Sequence, residues 1–410
     1  MAFSLPPRFA AAGVDVPVVV SVDVEPVGID VVDSSGAVLA TLSPSSTQFW
    51  MGTIPGAAVT GPHLEITPVA HEPDGANIQG PTVSVIVLAS NGPTIERREV
   101  NAETNVVYDR PWSSEPGELD WIPPEGEALP THPPGIARVD DDEVAVLDIA
   151  ASRVTCFNLA GESTCTVPLP IDASGDMFPL GDGTLAVIDL GNHGRGQELN
   201  VLRVDPHAGS VEVMYREYPL EVAGYPAIPA TIHFRWDPPS RTAWVGLPEA
   251  DTPPVPDEPD STRFPFTDAL HLDPDGITRG PTVQRSALRP DSAMNQPGSF
   301  RLLDGNAWVT LFDTPAPYFS TIGMDTTESG VVWMLMAIGD SAGGRGTTEL
   351  MRWQPGNSYF EAFPIDLGPV ENSTRRIAAL DDDTVAVFDV TTGGRIRAFT
   401  FPPLTTNDQP

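Results

Sequence analysis

The sequence predicts an all-β chain, a small sandwich of strands followed by a repeat of strand hairpins. Three observations carry this. Residues 136–149, IARVDDDEVAVLDI, and residues 377–390, IAALDDDTVAVFDV, share the IA start, the triple-aspartate turn, the VAV strand and the closing aspartate. The 36 Gly and 45 Pro suit many short strands joined by turns. No long stretch keeps the apolar spacing of a helix.

The repeated unit is a hairpin. A short apolar strand from Gly135 to Val139 meets an acidic turn, and a second strand runs from Val144 to Ile149. In that second strand Val144 and Val146 point one way, Ala145 and Leu147 the other. All four are apolar, so the strand is expected to be buried on both faces. Looser copies read PLGDGTLAVIDL at 179–190, SRTAWVGL at 240–247, LLDGNAWVTLFD at 302–313 and ESGVVWMLMAIGD at 328–340. From 136 to 377 five steps cover 241 residues, so the mean step is about 48. That is the length of one four-stranded propeller blade, and it predicts a β-propeller of six blades over residues 135–404.

Residues 1–15 read as a loose arm. Short alternating strands follow over 16–90, with a turn at Asp33 to Gly36. Their order, with GPHLEITPVAHEPDGA as the penultimate hairpin, resembles bacterial immunoglobulin-like modules, and the resemblance implies an Ig-like β-sandwich. Trp50 reads as core, with a binding aromatic as the other reading. Residues 91–134 read as a Pro-rich, acidic linker in which 94–109 could supply a strand that closes the propeller, and Trp112 and Trp121 would pack it along a domain surface. Residues 405–410 are a tail. The blade pattern, an apolar strand ending in Asp and then RVxxFxLxGE, resembles six-bladed propellers of the NHL and related bacterial families, moderately in the first, second, fifth and sixth copies and poorly in the third and fourth.

The chain has no lysine. Against 56 acidic residues stand 22 arginines, a net charge of −34, which disfavours nucleic acid or an anionic membrane as a partner. No apolar run is long enough for a transmembrane helix. The start MAFSLPPRF carries neither a basic nor an apolar signal region, so an exported chain would begin here at a mature end or leave without a signal peptide. The two cysteines, Cys156 and Cys165, sit in VTCFNLAGESTCTV. A two-residue turn at Ala160-Gly161 would set them opposite each other at a non-hydrogen-bonded pair. They are then either a cross-strand disulfide, which implies an oxidising compartment, or two free thiols on one hairpin.

No GxSxG elbow, HExxH, Walker loop or dinucleotide fingerprint occurs. The seven histidines are scattered. The candidate ligand site is therefore built from the repeat: Asp148, Asp189, Asp313 and Asp389 each end a second strand and would converge on one mouth of the propeller. Two Gly-Arg-Gly loops, 189–198 with His193 and Arg195 and 339–348 with Arg345, would join them there. Arginine between glycines suits a carboxylate or phosphate. The competing reading gives these aspartates the task of capping loop amides. No cofactor is required, and calcium is the ion the oxygen-rich loops could hold. HLDPDGITRG at 271–280 lacks the closing Glu of an EF-hand, and Asp140–Asp142 and Asp381–Asp383 read as solvated turns.

These features point to a non-enzymatic binding or structural protein with a protein or carbohydrate partner, extracellular or at the cell surface, or to a subunit of an extracellular appendage or virus particle. The six-bladed resemblance implies an alternative: a calcium-dependent hydrolase of the lactonase and gluconolactonase type, recruiting Asp148, Asp189, Asn192, Asp313 and Asp389. That family's channel glutamate has no identifiable counterpart here. Recognition is expected on the mouth that carries 148–153, 189–198, 248–266, 339–348 and 389–395.

Overall fold

In this computed structural model the described residues are 1–3, 9–22, 26–45, 48–61, 63–88, 96–120, 135–170, 177–192, 197–217, 233–237, 242–247, 268–273, 276–281, 288–291, 299–304, 307–313, 318–338, 347–354, 357–367, 376–390 and 393–404. Among them the chain is all-β, with no α-helix. Of the 91–134 linker, residues 91–95 and 121–134 lie outside the described residues, Trp121 among them, as do the insertion at 248–266 and the tail at 405–410.

The first nine strands are β1 (Ala2–Phe3), β2 (Phe9–Ala11), β3 (Val16–Ser21), β4 (Gly28–Asp33), β5 (Val38–Pro44), β6 (Phe49–Ile54), β7 (His63–His71), β8 (Asn77–Gln79) and β9 (Val83–Leu88). They form one curled sheet in the order β1-β3-β6-β5-β4-β7-β9-β2, with β8 on the flank of β7. The curl comes from β5: Val38 to Leu42 pair with β4, while Ser43 and Pro44 pair with β6. Val18, Val20, Ile29, Val31, Ile54 and Ile66 line the enclosed core, and Trp50 packs against it half-buried. Residues 2–3 and 9–11 are paired strands rather than a free arm, because Phe3 and Ala10 both reach that core. The Asp33 turn forms as its sequence dictates: Oδ1 accepts from Ser35 N at 2.8 Å and Ala37 N at 2.9 Å, and Gly36 takes φ +83°.

The repeat region is a series of antiparallel meanders. The first has β12 (Ile136–Asp140), β13 (Glu143–Asp148), β14 (Arg153–Asn158) and β15 (Ser163–Pro168), after β10 (Glu96–Glu99) and β11 (Glu103–Pro111). The second has β16 (Met177–Pro179), β17 (Leu185–Asn192), β18 (Gln197–Asp205) and β19 (Ser210–Glu217). The third has β20 (His233–Asp237), β21 (Thr242–Leu247), β22 (Asp268–Asp273) and β23 (Gly276–Pro281). Among the described residues three strands make the fourth: β24 (Leu288–Asp291), β25 (Ser299–Asp304) and β26 (Ala307–Asp313). The fifth has β27 (Tyr318–Thr326), β28 (Val332–Ile338), β29 (Thr347–Trp353) and β30 (Tyr359–Ile365), and the last has β31 (Ile377–Ala379), β32 (Thr384–Val390) and β33 (Gly393–Thr400).

The arrangement is that of a β-propeller. First strands lie side by side, β12 next to β16 and β31, and β27 next to β31 and β24. Successive sheets stack face to face. Val144 and Val146 pack on Ala386 and Phe388 of the last sheet, while Ala145 and Leu147 pack on Leu185 and Val187 of the second. This stacking is the reason that β13 is apolar at every inner position and buried throughout. The segment before the first meander joins the last two. β10 pairs in parallel with β30, and β11 runs antiparallel along β33 from Glu103↔Thr400 to Pro111↔Gly393.

Candidate functional site

Cys156 and Cys165 are joined by a disulfide, with Cα atoms 4.8 Å apart, between β14 and β15. The turn that sets them opposite is longer than a two-residue turn. Gly161 N donates to Asn158 O and Asn158 N to Glu162 O, and Gly161 holds φ +86°. Phe157 then faces Ser163, and a bulge at Thr164 restores Cys156 opposite Cys165. The Gly161 backbone packs tightly: a Cβ there would lie 2.8 Å from Val107 O of β11.

The repeated aspartates Asp148, Asp189 and Asp389 are fully buried, and the adjacent strand supplies a partner to each. Asp148 faces Arg153 across the β13–β14 turn, and Arg153 Nε donates to Asp148 Oδ2 at 3.0 Å. Asp120 N (3.1 Å) and Ala151 N (3.2 Å) also donate to this carboxylate. Burial nevertheless pushes the Asp148 carboxyl above its usual range; Arg153 and the two amides oppose that rise. Three further donors of Arg153 go to Ser114 O (2.9 Å), Ser113 O (3.3 Å) and Glu118 O (2.8 Å). The pair thereby staples residues 113–120 to the first meander. Leu119, fully buried, and Trp112, which packs beside it, seal that staple, so Trp112 does pack the linker along the propeller.

Asp389 repeats the device. It faces Arg395 across β32–β33, Arg395 Nε donates to Oδ2 at 3.1 Å, and Arg397 comes within 3.5 Å of the same oxygen. Asp189 varies it. Its opposite residue is Asn200, whose Nδ2 donates to Asp189 Oδ2 at 3.1 Å, and Arg216 Nε donates in turn to Asn200 Oδ1 at 2.8 Å. An arginine on β19 takes over the role that an arginine on the third strand plays in the other two sheets. The partners Arg153 and Arg395 were written in the blade pattern, where an arginine follows the closing Asp by five or six residues. Asn200 lies beyond a longer loop, and no such spacing announces it.

Asp313 does not share their position. The short strand β24, hidden in sequence by Pro290, precedes β25, so Asp313 ends the third strand of its sheet, opposite Ser299. Third strands run back toward the other end of the sheet, and convergence of all four aspartates on one mouth is thereby corrected. His193, Arg195 and Arg345 lie outside the described residues, in the links between β17 and β18 and between β28 and β29. Asn192 ends β17 and pairs with Gln197.

The two triple-aspartate turns do different work. The side chains of Asp140–Asp142 are exposed: Asp140 Oδ1 accepts the Asp141 amide at 2.8 Å, Arg138 meets Asp141, and the Asp142 carbonyl accepts from Leu159 N at 2.9 Å. Asp381–Asp383 form a joint between the fifth sheet and the last, rather than the solvated turn the sequence suggests. Thr327 Oγ1 donates to Asp382 Oδ1 at 2.6 Å, Trp333 Nε1 to Asp381 O at 3.2 Å, and fully buried Arg352 reaches Asp383 Oδ1 at 2.6 Å. Arg352 also bonds Glu361 Oε2 at 2.7 Å and lies 5.6 and 5.2 Å from the rings of Trp333 and Phe401. Among the described residues no group of three or more His, Cys, Asp or Glu is placed to hold a metal ion.

No protein-family model matches the chain, and no curated protein matches it. Solved structures do. A protein of unknown function from Bacteroides thetaiotaomicron matches over 98% of both chains at 12% identity with a TM-score of 0.31. The β-propeller domain of the trilobed protease from Pyrococcus furiosus matches at 10% identity and a TM-score of 0.31, over 86% of this chain and 94% of that one. An auxiliary nutrient binding protein from Bacteroides ovatus matches over 98% of both chains at 10% identity and a TM-score of 0.27.

Proposed function

We propose that the six meanders are the blades of one closed propeller, and that the chain is a non-enzymatic binding scaffold, exported or displayed at a cell surface. The observation that carries this reading is the fate of the repeated aspartates. Asp148, Asp189 and Asp389 are enclosed, and their carboxylates are taken up by Arg153, Asn200 and Arg395. They stiffen the turns that end the second strands and leave loop residues to do the recognising. The curled amino-terminal sheet would serve as an immunoglobulin-like module beside it. The Cys156–Cys165 disulfide supports an oxidising compartment.

Recognition is assigned to the loops between second and third strands. Arg195, with His193 two residues before it, and Arg345 would meet an anionic group of a protein or carbohydrate partner. The test is binding of the native partner, recovered by crosslinking in the natural source, to Arg195→Ala/Arg345→Ala. Binding should weaken while the melting temperature holds. Binding that persists in that variant and disappears on deleting residues 1–90 would place recognition on the amino-terminal module. The calcium-dependent hydrolase is the second reading. A calcium-induced rise in melting temperature together with turnover of a lactone panel would establish it and overturn the scaffold.

A further inference from the structure

Across the outer face of the amino-terminal sheet, four neighbouring strands are tied by one line of side chains. Thr41 Oγ1 on β5 donates to Asp30 Oδ1 on β4 at 2.6 Å. Asp30 Oδ2 lies 2.9 Å from Nε2 of His71, the last residue of β7, and His71 Nδ1 lies 2.8 Å from Asn77 Oδ1 on β8. The register aligns them: Asp30 faces Thr41, and His71 sits between Gly28 and Asn77. The hydroxyl bonds the carboxylate and not the imidazole. The line is therefore no nucleophile–base relay, since Thr41 cannot pass its proton to His71.

Its chemistry lies in the imidazole. Both ring nitrogens face oxygen acceptors, and a neutral imidazole has one N–H to give, whereas an imidazolium has two. The surroundings favour the cation. Besides Asp30, the charged groups near His71 are Glu72 and Asp74 of the turn at 72–76; one Glu72 carboxylate oxygen is buried without a hydrogen-bond partner, and Asp74 Oδ1 accepts from Ala76 N at 2.9 Å. β5 and β8 bring only Thr41 and Asn77, and Glu65 lies on the same face of β7 but far along the strand. No arginine or lysine stands among the described residues of this sheet. Otherwise β8 is held by backbone bonds to β7, continued past its end by Gly80 N donating to Pro68 O at 2.9 Å. It is three exposed residues, paired with β7 alone through Val69↔Gln79, Ala70↔Ile78 and His71↔Asn77.

We propose that His71 is a proton-operated latch that fastens the edge strand β8 and the 72–76 turn to the sheet. Loss of its proton leaves one N–H for two acceptors. Asp30, the anion, keeps it, and Asn77 is released. Opening of β8 then bares the backbone edge of β7 at residues 69–71, the kind of edge to which another strand adds. The direction follows from the two groups. Bonds from Asp30 and then Asn77 hold His71 above its ordinary 6.5, so the latch is fully closed below that value and opens as pH rises through the raised one. Asp30 is opposed by burial, but the Thr41 hydroxyl and His71 outweigh it and hold the carboxyl below 3.8. Its share is present above 3.8 and is lost only as pH falls through the lowered value.

Hydrogen exchange on the full chain tests this, at about pH 5.5 and about pH 8.5, on either side of the ordinary imidazole range. After correction for intrinsic exchange, protection at 77–79 should fall about tenfold between the two, the scale of one charge-assisted hydrogen bond, while 49–54 stays constant. In His71→Gln and in Asn77→Ala the protection at 77–79 should sit at the high-pH level throughout. The Asn77 variant removes only the last link, so it serves even if the His71 variant fails to fold. Equal protection at both pH values in the wild type, as an Asn77 amide donating to neutral His71 would give, overturns the latch. So does a pH dependence that survives in Asn77→Ala.

Discussion

Arg153→Ala removes the one side chain that, among the described residues, bonds the Asp148 carboxylate, and the structure sets the size and the pH sense of the loss. Asp148 is fully buried and would retain only the Asp120 and Ala151 amides. Stranding a buried charge in this way costs about 3–5 kcal/mol. The carbonyls of Ser113, Ser114 and Glu118 lose their donors too, but this segment lies at the surface, where water can replace a guanidinium. Asp148→Ala/Arg153→Ala should therefore lose less than the sum of the single variants, by about 1–3 kcal/mol. Because burial holds the Asp148 carboxyl above 3.8 in the fold, its effect on stability becomes less favourable as pH rises from 3.8 through the raised value. Removing Arg153 raises that value further, so the Arg153→Ala defect should be smallest in acid and should grow toward neutral pH. Urea unfolding as a function of pH, read with hydrogen exchange at 113–120, measures both. A defect under about 1 kcal/mol, or one independent of pH, would refute the staple.

Gly161→Ala must place a Cβ 2.8 Å from Val107 O at a φ of +86°, and it should cost about 1–3 kcal/mol in urea unfolding. Cys156→Ser/Cys165→Ser, or reduction of the wild type, should lower stability by about 2–3 kcal/mol, with free thiols counted before and after to confirm the bond. Arg352→Met leaves Glu361 and Asp383 without their guanidinium, and should destabilise by about 3 kcal/mol or more with exchange rising at 381–384. Asp382→Ala, which removes the acceptor of the Thr327 and Ser329 hydroxyls, should cost about 1–2 kcal/mol by the same assay.

What the sequence disclosed and what it hid divide along physical lines. Burial on both faces leaves an unbroken apolar run, so β13 and β32 were legible from EVAVLD and TVAVFD. That the two cysteines lie opposite each other was legible, although the turn was not and the bond was one of two readings. A longer turn at 158–162 and a bulge at Thr164 offset each other, and one residue cannot announce a bulge. β24 was hidden because LRPD contains a proline and one leucine, and its pairing is decided by β25 alone. The site was half legible. The recurring aspartates stood out, but their partners come from a neighbouring strand at spacings that loop length changes, from Arg153 to Asn200. The aspartates at 381–383 could not be told from those at 140–142, because the Arg352 that claims them lies in the preceding sheet.

The most direct test of the scaffold reading is carboxyl footprinting with a water-soluble carbodiimide and an amine, on the native protein and on the urea-unfolded chain. The exposed carboxylates Asp140, Asp141 and Asp381 should label in both states, and the enclosed Asp148, Asp189 and Asp389 only after unfolding. Labelling of those three in the native protein would show them open to solvent and ligands, and would contradict the assignment of the repeated aspartates to internal pairs.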